Sequence, residues 1–356
     1  MLIVNYIRIM QKVFLIIGFF ISSTLLFGQT SSEKKFRINT IAFYNVENLF
    51  DTINDPKTWD DDRTPKGKDR WTSIIYEKKL NNIAKVIGDI GSDLTMEAPS
   101  VIGLCEIENY KVLEDLINTE SLQRENYQII HYDSPDERGI DVALLFKKNR
   151  FQPTSSKIYP LYLKRKNGTR DYTRDHLLVS GYLDKDPIHF IINHWPSRSG
   201  GQMRSEPGRI LAGILNKRII DSILKFNPKA NIISMGDFND NPGDKSIKPT
   251  LNSVFKKSEI KDDQLYNPME ELFRKGHGSY RYRGKWDMID QFFLSKNLVD
   301  NKTGLFFLKA AVFNKKYLIN PSGKYEGYPF KSFAGGKFLN GYSDHFPIYL
   351  YLAKEY

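Results

Sequence analysis

Val101-Ile102-Gly103-Leu104-Cys105-Glu106 is the stretch that decides the fold: five uncharged, mostly apolar residues follow one another and end on a carboxylate. An unbroken apolar run of this length, without polar alternation, marks a strand covered on both faces. Such a strand delivers Glu106 at its end. Outward from it the same grammar recurs. Phe36 to Tyr44 reads as a first strand ending at Asn45, and Val142 to Phe146, Leu177 to Tyr182, His189 to Asn193, Ile232 to Met235, Ile289 to Leu294 and Phe346 to Leu352 read as further strands with polar residues at their ends. Between the first two lies a polar, Asp-rich loop (Asp51 to Asp69), then Leu80, Ile83, Ala84, Val86, Ile87 and Ile90, whose spacing makes one apolar helix face stopped at Gly91. Ser205 with Pro207 opens a second helix that runs to about Phe226 and ends before Asn227-Pro228. Strands outnumber helices, and helices do not separate every pair of them. The expected class is therefore α/β, with two packed mixed β-sheets in a four-layer α-β-β-α sandwich, not a fully parallel doubly wound sheet.

The chain of 356 residues shows no internal repeat and no low-complexity linker, so one catalytic-sized domain over residues 36–356 is expected. Its first residues differ. Arg8 and Lys12 precede an apolar run from Val13 to Phe27 and a small, polar exit, the layout of a signal peptide over residues 1–28. An uncleaved N-terminal anchor is the alternative; with no cysteine at the exit, a lipid anchor has no attachment point. The mature part is expected to be secreted or periplasmic. Cys105 is the only cysteine, which excludes an internal disulfide framework. The formal net charge is +10, of which Arg8 and Lys12 supply two, and the remaining excess suits polyanionic partners. Nothing in the sequence points to a stable protein partner.

The chemistry-bearing residues cluster at strand ends: Asn45, Glu106, His194, Asp237 with Asn239, Asp290, and Asp344 with His345. Singly, each has an ordinary reading as a turn former, a helix cap or a core histidine. As a set they offer oxygen and imidazole donors suited to magnesium or manganese, with calcium as a further option. The absence of a cysteine cluster or His-x-x-x-His pair argues against a dedicated zinc site.

The joint pattern resembles the endonuclease/exonuclease/phosphatase family. The resemblance runs in order through Tyr44-Asn45-Val46-Glu47-Asn48, Val101 to Glu106, Asp141 to Phe146, Asn193-His194-Trp195-Pro196, Gly236-Asp237-Phe238-Asn239, Ile289 to Ser295 and Ser343-Asp344-His345-Phe346-Pro347, spanning residues 36 to 356. It implies that Glu106 is the main metal ligand, with Asn45 and Asp344 beside it. It further implies that Asp237 positions or deprotonates the attacking water, and that Asn239 donates to the phosphate. His345 contacts the phosphate, oriented by Asp290, with Asp287 as a competitor for that task. A second histidine, His194, matches the general acid of the deoxyribonuclease-like members, with Asp141 as its candidate partner.

For the substrate, Trp286-Asp287-Met288-Ile289-Asp290 lacks the Pro-Ala-Trp-Cys-Asp-Arg-Ile segment of the inositol-phosphate branch, which disfavours that branch. Arg198, Arg204 and Arg209 follow the His194 strand, and Arg281, Arg283 and Lys285 alternate with Tyr280, Tyr282 and Trp286. Arg198, Arg281 and Arg283 are the candidate substrate-binding residues. Such alternation either clamps phosphates while stacking bases or is an exposed strand face with packed aromatics. The leading expectation is a low-specificity endonuclease acting on DNA or RNA. A phospholipid or sugar-phosphate phosphoesterase and a catalytically inert binding protein are the alternatives. The aromatic segment 317–342 reads equally as a substrate loop, a lipid-facing surface or a cover over the sandwich edge.

Overall fold

Alternation along the strands sets up the layers. In the computed structural model, which describes residues 34–301 and 303–356, Ile41 and Phe43 of the first strand enter one core cluster, whereas Ala42 and Tyr44 enter another. The expected signal peptide at 1–28 lies outside the described residues. In chain order the principal elements are β1 (Phe36–Leu49), α1 (Ser73–Asp89), β2 (Val101–Ile107), α2 (Tyr110–Ile117), β3 (Tyr127–His131), β4 (Asp141–Lys147), β5 (Phe151–Tyr159), β6 (His176–Leu183), β7 (Asp186–His194), α3 (Gln202–Phe226), β8 (Ile232–Asp237), β9 (Ser253–Val254), β10 (Leu265–Tyr266), β11 (Tyr280–Tyr282), β12 (Lys285–Asp287), β13 (Asp290–Ser295), β14 (Phe306–Val312) and β15 (Ile348–Glu355).

Two mixed sheets result, ordered β14-β15-β1-β2-β4-β3 and β9-β10-β13-β8-β7-β6-β5. β1 and β2 run parallel, as do β7 and β8, while β4 and β13 return antiparallel. Val101, Cys105, Val142 and Leu144 of the first sheet meet Phe190, Ile192, Ile233, Met235 and Phe292 of the second in a common core. On the outer face of the first sheet, Ile102, Leu104 and Leu145 pack against Ile83, Val86 and Ile87 of α1 and Leu113 and Leu116 of α2. On that of the second, Ile191, Ile232 and Phe293 pack against Ala212, Ile219 and Ile220 of α3. The four-layer sandwich follows from this two-residue period, each fully buried aliphatic side chain contributing about 1.5–3 kcal/mol.

These layers belong to one compact unit, Arg37–Lys354; in a second, Lys34 pairs with Glu355 at 2.9 Å. No helix among the described residues is long and apolar enough to cross a membrane. Both long helices start earlier than their apolar faces suggest. α1 begins at Ser73 and α3 at Gln202, leaving Pro207 inside the latter. The sequence reading passes over β5, an edge strand in which only Phe151 is buried, because its polar Pro153-Thr154-Ser155-Ser156 stretch carries no apolar signal. Segment 317–342 packs on the helical side of the first sheet. Leu318 joins that core, Lys79 of α1 donates to Ser332 Oγ and the Tyr342 carbonyl, both at 2.7 Å, and Glu47 accepts from Ser332 N–H at 2.7 Å.

Candidate active site

Register brings the polar strand ends to one rim. Across the second sheet, Asp237 is the Cα partner of His194 on one side and Asp290 on the other, so three candidate side chains form a single row. In the first sheet the ladder is interrupted between Asn45 and Leu49 on β1 and between Cys105 and Ile107 on β2. Leu104 faces the helices and Cys105 the inter-sheet core, so regular alternation would send Glu106 toward the helices. A left-handed backbone at Glu106 (φ 62°) turns its carboxylate to the rim, where it accepts the Asn48 N–H at 2.9 Å. Glu47 and Asn48, the other side of this contact, are also left-handed, at φ 54° and 57°. Each such non-glycine residue costs on the order of 1 kcal/mol or more, strain of a kind that concentrates at functional sites.

Asp237 sits at the centre. Its Oδ1 accepts the Asn239 N–H at 2.9 Å and its Oδ2 accepts the Asn45 amide at 3.1 Å. The Nε2 atoms of both histidines face that same Oδ2, His194 at 3.7 Å and His345 at 3.9 Å. His194 Nε2 also stands 3.9 Å from Glu106 Oε1. Behind His345, Nδ1 lies 2.7 Å from Asp290 Oδ2, and Ser343 Oγ links the His345 N–H at 3.1 Å to the Asn45 carbonyl at 2.7 Å. Tyr280 covers the His345 ring at 4.9 Å. Beneath His194, Asn193 is held by Ser234 and Asn216, which fixes the Asn-His-Trp-Pro turn from below. Glu106, His194, Asp237, Asn239, Asp344 and His345 all line one pocket of about 920 Å³.

The two imidazoles differ electrostatically. Burial alone would lower His345, but the bonded Asp290 carboxylate, with Asp237 and Asp344 nearby, holds it well above the usual histidine range. Burial lowers His194 well below that range, and the charges of Arg174, Arg138 and His345 add to the effect. Its Nδ1 is buried without a hydrogen-bond partner among the described residues. Burial, then the charge of Asp290, pushes the Asp237 carboxyl up to about 7, against the opposing pull of His345. One carboxylate between a charged and a neutral imidazole, with a second carboxylate at the rim, can hold a phosphoryl group and accept a proton from water.

Not every residue singled out in the sequence joins this centre. Asp141 does not orient His194: His131 of the adjacent β3 takes its Oδ2 at 3.0 Å and the Ser134 N–H takes its Oδ1 at 2.8 Å. Asp287 does not compete with Asp290 for His345; it accepts from Arg198 at 3.2 Å and Asn241 at 2.6 Å. Arg198 lines the pocket, but its guanidinium is committed to the Asn239 carbonyl and Asp287. Arg209 is fully buried against Asp240 at 2.7 Å and does not face a substrate. Arg281 is sandwiched between Trp286 and Tyr328, whereas Arg283 stands exposed at the pocket mouth. Asn48, Ser343 and Tyr280 were missed as site residues. The first two lie inside the quoted Asn-Val-Glu-Asn and Ser-Asp-His motifs, a signal that was available.

The family model described as the Endonuclease/Exonuclease/phosphatase family matches residues 40–354. A search of curated protein sequences returns no match. Among solved structures, the chain is similar to an endonuclease/exonuclease/phosphatase family protein of Bacteroides thetaiotaomicron (16% identity, 90% of this chain and 98% of that one, TM-score 0.54). It is also similar to a mannosyl-6-phosphatase of the same organism (15% identity, 88% and 99%, TM-score 0.52). A third is TDP2 of D. rerio complexed with a single-strand DNA product (15% identity, 88% and 98%, TM-score 0.51).

Proposed function

The chain belongs to the endonuclease/exonuclease/phosphatase family, and from that premise we propose that it is an exported, divalent-cation-dependent phosphodiesterase that cuts DNA or RNA with little regard to sequence. The observation that carries the hydrolytic reading is the convergence of His194 Nε2 and His345 Nε2 on Asp237 Oδ2 beside the Glu106 carboxylate. The donor set fits a hard cation: Glu106 and Asp344 present carboxylate oxygens to the pocket, Asn45 lies behind them with its amide oxygen accepting the Glu47 N–H at 3.0 Å, and the one thiol, Cys105, points into the core. Glu106, Asp344 and Asn45 are the residues that would hold magnesium or manganese, which when bound neutralises phosphoryl charge and polarises the ester.

In this reading Asp237 takes the proton of the attacking water, held for it by the Asn45 amide and the Asn239 N–H. His345, kept charged by Asp290, binds a phosphoryl oxygen, and Tyr280 closes its outer side. His194 rests neutral. The negative charge of a bound diester raises its proton affinity, which is the condition for it to serve the leaving oxygen. The excess of Lys and Arg and the aromatic hairpin β11–β12 support a nucleic-acid substrate, and Arg8, Lys12 and the apolar run Val13 to Phe27 support export. A second reading, hydrolysis of a sugar phosphate, is favoured by the polar pocket wall of Asn241, Asp244 and Asp287, which suits hydroxyl groups.

A panel of single- and double-stranded DNA, RNA, a simple diester, a phospholipid and hexose phosphates, each with magnesium, manganese or excess chelator, tests the proposal. Nucleic-acid cleavage that stops with chelator is the expected result. Turnover of hexose phosphates alone would replace the nuclease reading with the second one.

A further inference from the structure

Beside the catalytic pocket runs a second, smaller groove of about 450 Å³ to which no role attaches in the mechanism above. The two share one bank: Ser197, Ser199 and Gly200 line both. The groove therefore adjoins the candidate catalytic pocket across this loop. Lys164 and Arg204 stand on it, both exposed and both without an ion-pair partner among the described residues. This contrasts with Arg198 and Arg209, whose charges are consumed by carboxylates. Tyr172 lines the groove, and beside it Arg170 is held between the rings of Tyr172 and the neighbouring Tyr162, 4.5 Å from each centroid, with its Nε buried and without a hydrogen-bond partner among the described residues. Tyr162 is 68% exposed and Tyr172 42%. Arg170 covers one face of each ring, and a remaining exposed aromatic face beside unpaired cations is the combination that binds unpaired bases and the phosphates between them. Past Tyr172 the surface changes sign, because the next pocket, which also includes Tyr172, is lined by Asp55, Asp133 and Asp136. Within the groove the one lining carboxylate, Asp171, is paired with Arg165 at 3.5 Å, so Lys164 and Arg204 leave it favourable to a polyanion, whereas the pocket beyond Tyr172 is unfavourable.

We infer that this groove is a subsite for the nucleotides flanking the scissile phosphate of a single-stranded nucleic acid, with Lys164 and Arg204 on its phosphates and Tyr162 and Tyr172 stacking its bases. The inference rests on the nuclease reading and narrows it, since paired bases in a duplex cannot present their faces to the tyrosines.

The test compares the full-length purified protein with Lys164→Ala/Arg204→Ala and Tyr162→Ala/Tyr172→Ala variants on a labelled single-stranded oligonucleotide, the matching duplex and bis(p-nitrophenyl) phosphate. All four side chains are exposed or face the groove, and none belongs to the catalytic row. For the charge variant, the slope of log kcat/KM against log salt on the single strand is expected to fall by about 1.4, two phosphate contacts at about 0.7 each. The tyrosine variant is expected to lose roughly tenfold or more in kcat/KM on the single strand, with duplex cleavage and small-diester hydrolysis unchanged. Unchanged single-strand cleavage and salt slope in both variants would overturn the subsite while leaving the nuclease reading intact, as would an equal loss on the small diester. A wild-type protein that hydrolyses the small diester but no nucleic acid overturns the nuclease reading itself, and that result is seen before any variant is made.

Discussion

Among the described residues, two clusters pair an imidazole with carboxylates, and by distance alone they are equivalent. In one, Asp237, Asp290 and His345 bring candidate ligand atoms within 4.8 Å of one another; in the other, His131, Asp133 and Asp141 do the same. Each contains a buried histidine–aspartate contact, at 2.7 Å in the first and 3.0 Å in the second. The difference lies in what surrounds them. The first is buried throughout, receives a second histidine and two amide donors on its central carboxylate, and opens into the large pocket. In the second, both oxygens of Asp141 are spent on local bonds, and the side chain of Asp133 is 87% exposed. Acid and imidazole composition does not make a site. Strand ends in register, with two imidazoles converging on one carboxylate, do.

The largest effects are expected where this contrast is cut at its centre. His345→Ala and Asp237→Asn should each lower kcat for phosphodiester hydrolysis by roughly 10²–10⁴-fold with unchanged circular dichroism, because groups acting as a unit are costly to remove singly. Wild-type turnover in either variant would break the comparison. Asp290→Asn, which takes the charge from behind His345 while keeping its shape, should lower kcat by on the order of 10²-fold. The matching change in the other cluster, Asp141→Asn, should behave in the opposite way: kcat within a few-fold of wild type, and a loss of about 1–3 kcal/mol in urea unfolding as a buried charged hydrogen bond is weakened.

The smallest effect belongs to the acidic pocket beyond that cluster. Burial pushes the Glu108 carboxyl up to about 8, the Asp51 N–H opposing and the charges of Asp51, Asp60 and Asp55 adding to it. An acid whose folded value is raised binds more protons folded than unfolded, so stability falls as pH rises from about 4.5 toward 8. Glu108→Gln should remove that fall, raising stability at pH 8 by about 1–2 kcal/mol with no gain below pH 4. A gain that is the same at both pH values would show that the titration of Glu108 is not its source.

What was legible in the sequence follows from burial. β2 could be read because both of its faces are covered, which leaves no polar residue to interrupt Val101 to Cys105, and the motifs around Asp237 and His345 could be read because their neighbours are equally constrained. The partner of Asp141 could not. Period-two alternation places its side chain on a face, but the competing imidazole sits on β3, a strand of Tyr-Gln-Ile-Ile-His with only Tyr127 fully buried and hence no clear pattern. Lys79 was hidden for a related reason: it precedes the apolar residues of α1 by one position, yet is wholly buried by its bonds to Ser332 and Tyr342, more than 250 residues away in sequence. Those bonds support the cover reading of segment 317–342 among the three that the composition left open. Glu106 shows the converse. Its identity was evident, but its arrival at the rim depends on a left-handed backbone that residue type alone does not announce.

The most direct test of the central claim is hydrolysis of bis(p-nitrophenyl) phosphate with manganese or magnesium, followed side by side for the wild-type protein, His345→Ala and His131→Ala. Chelator-sensitive turnover that disappears in His345→Ala and persists within a few-fold in His131→Ala is the predicted result. Turnover that survives excess chelator, or that is lost in His131→Ala and kept in His345→Ala, would contradict the assignment of the catalytic rim.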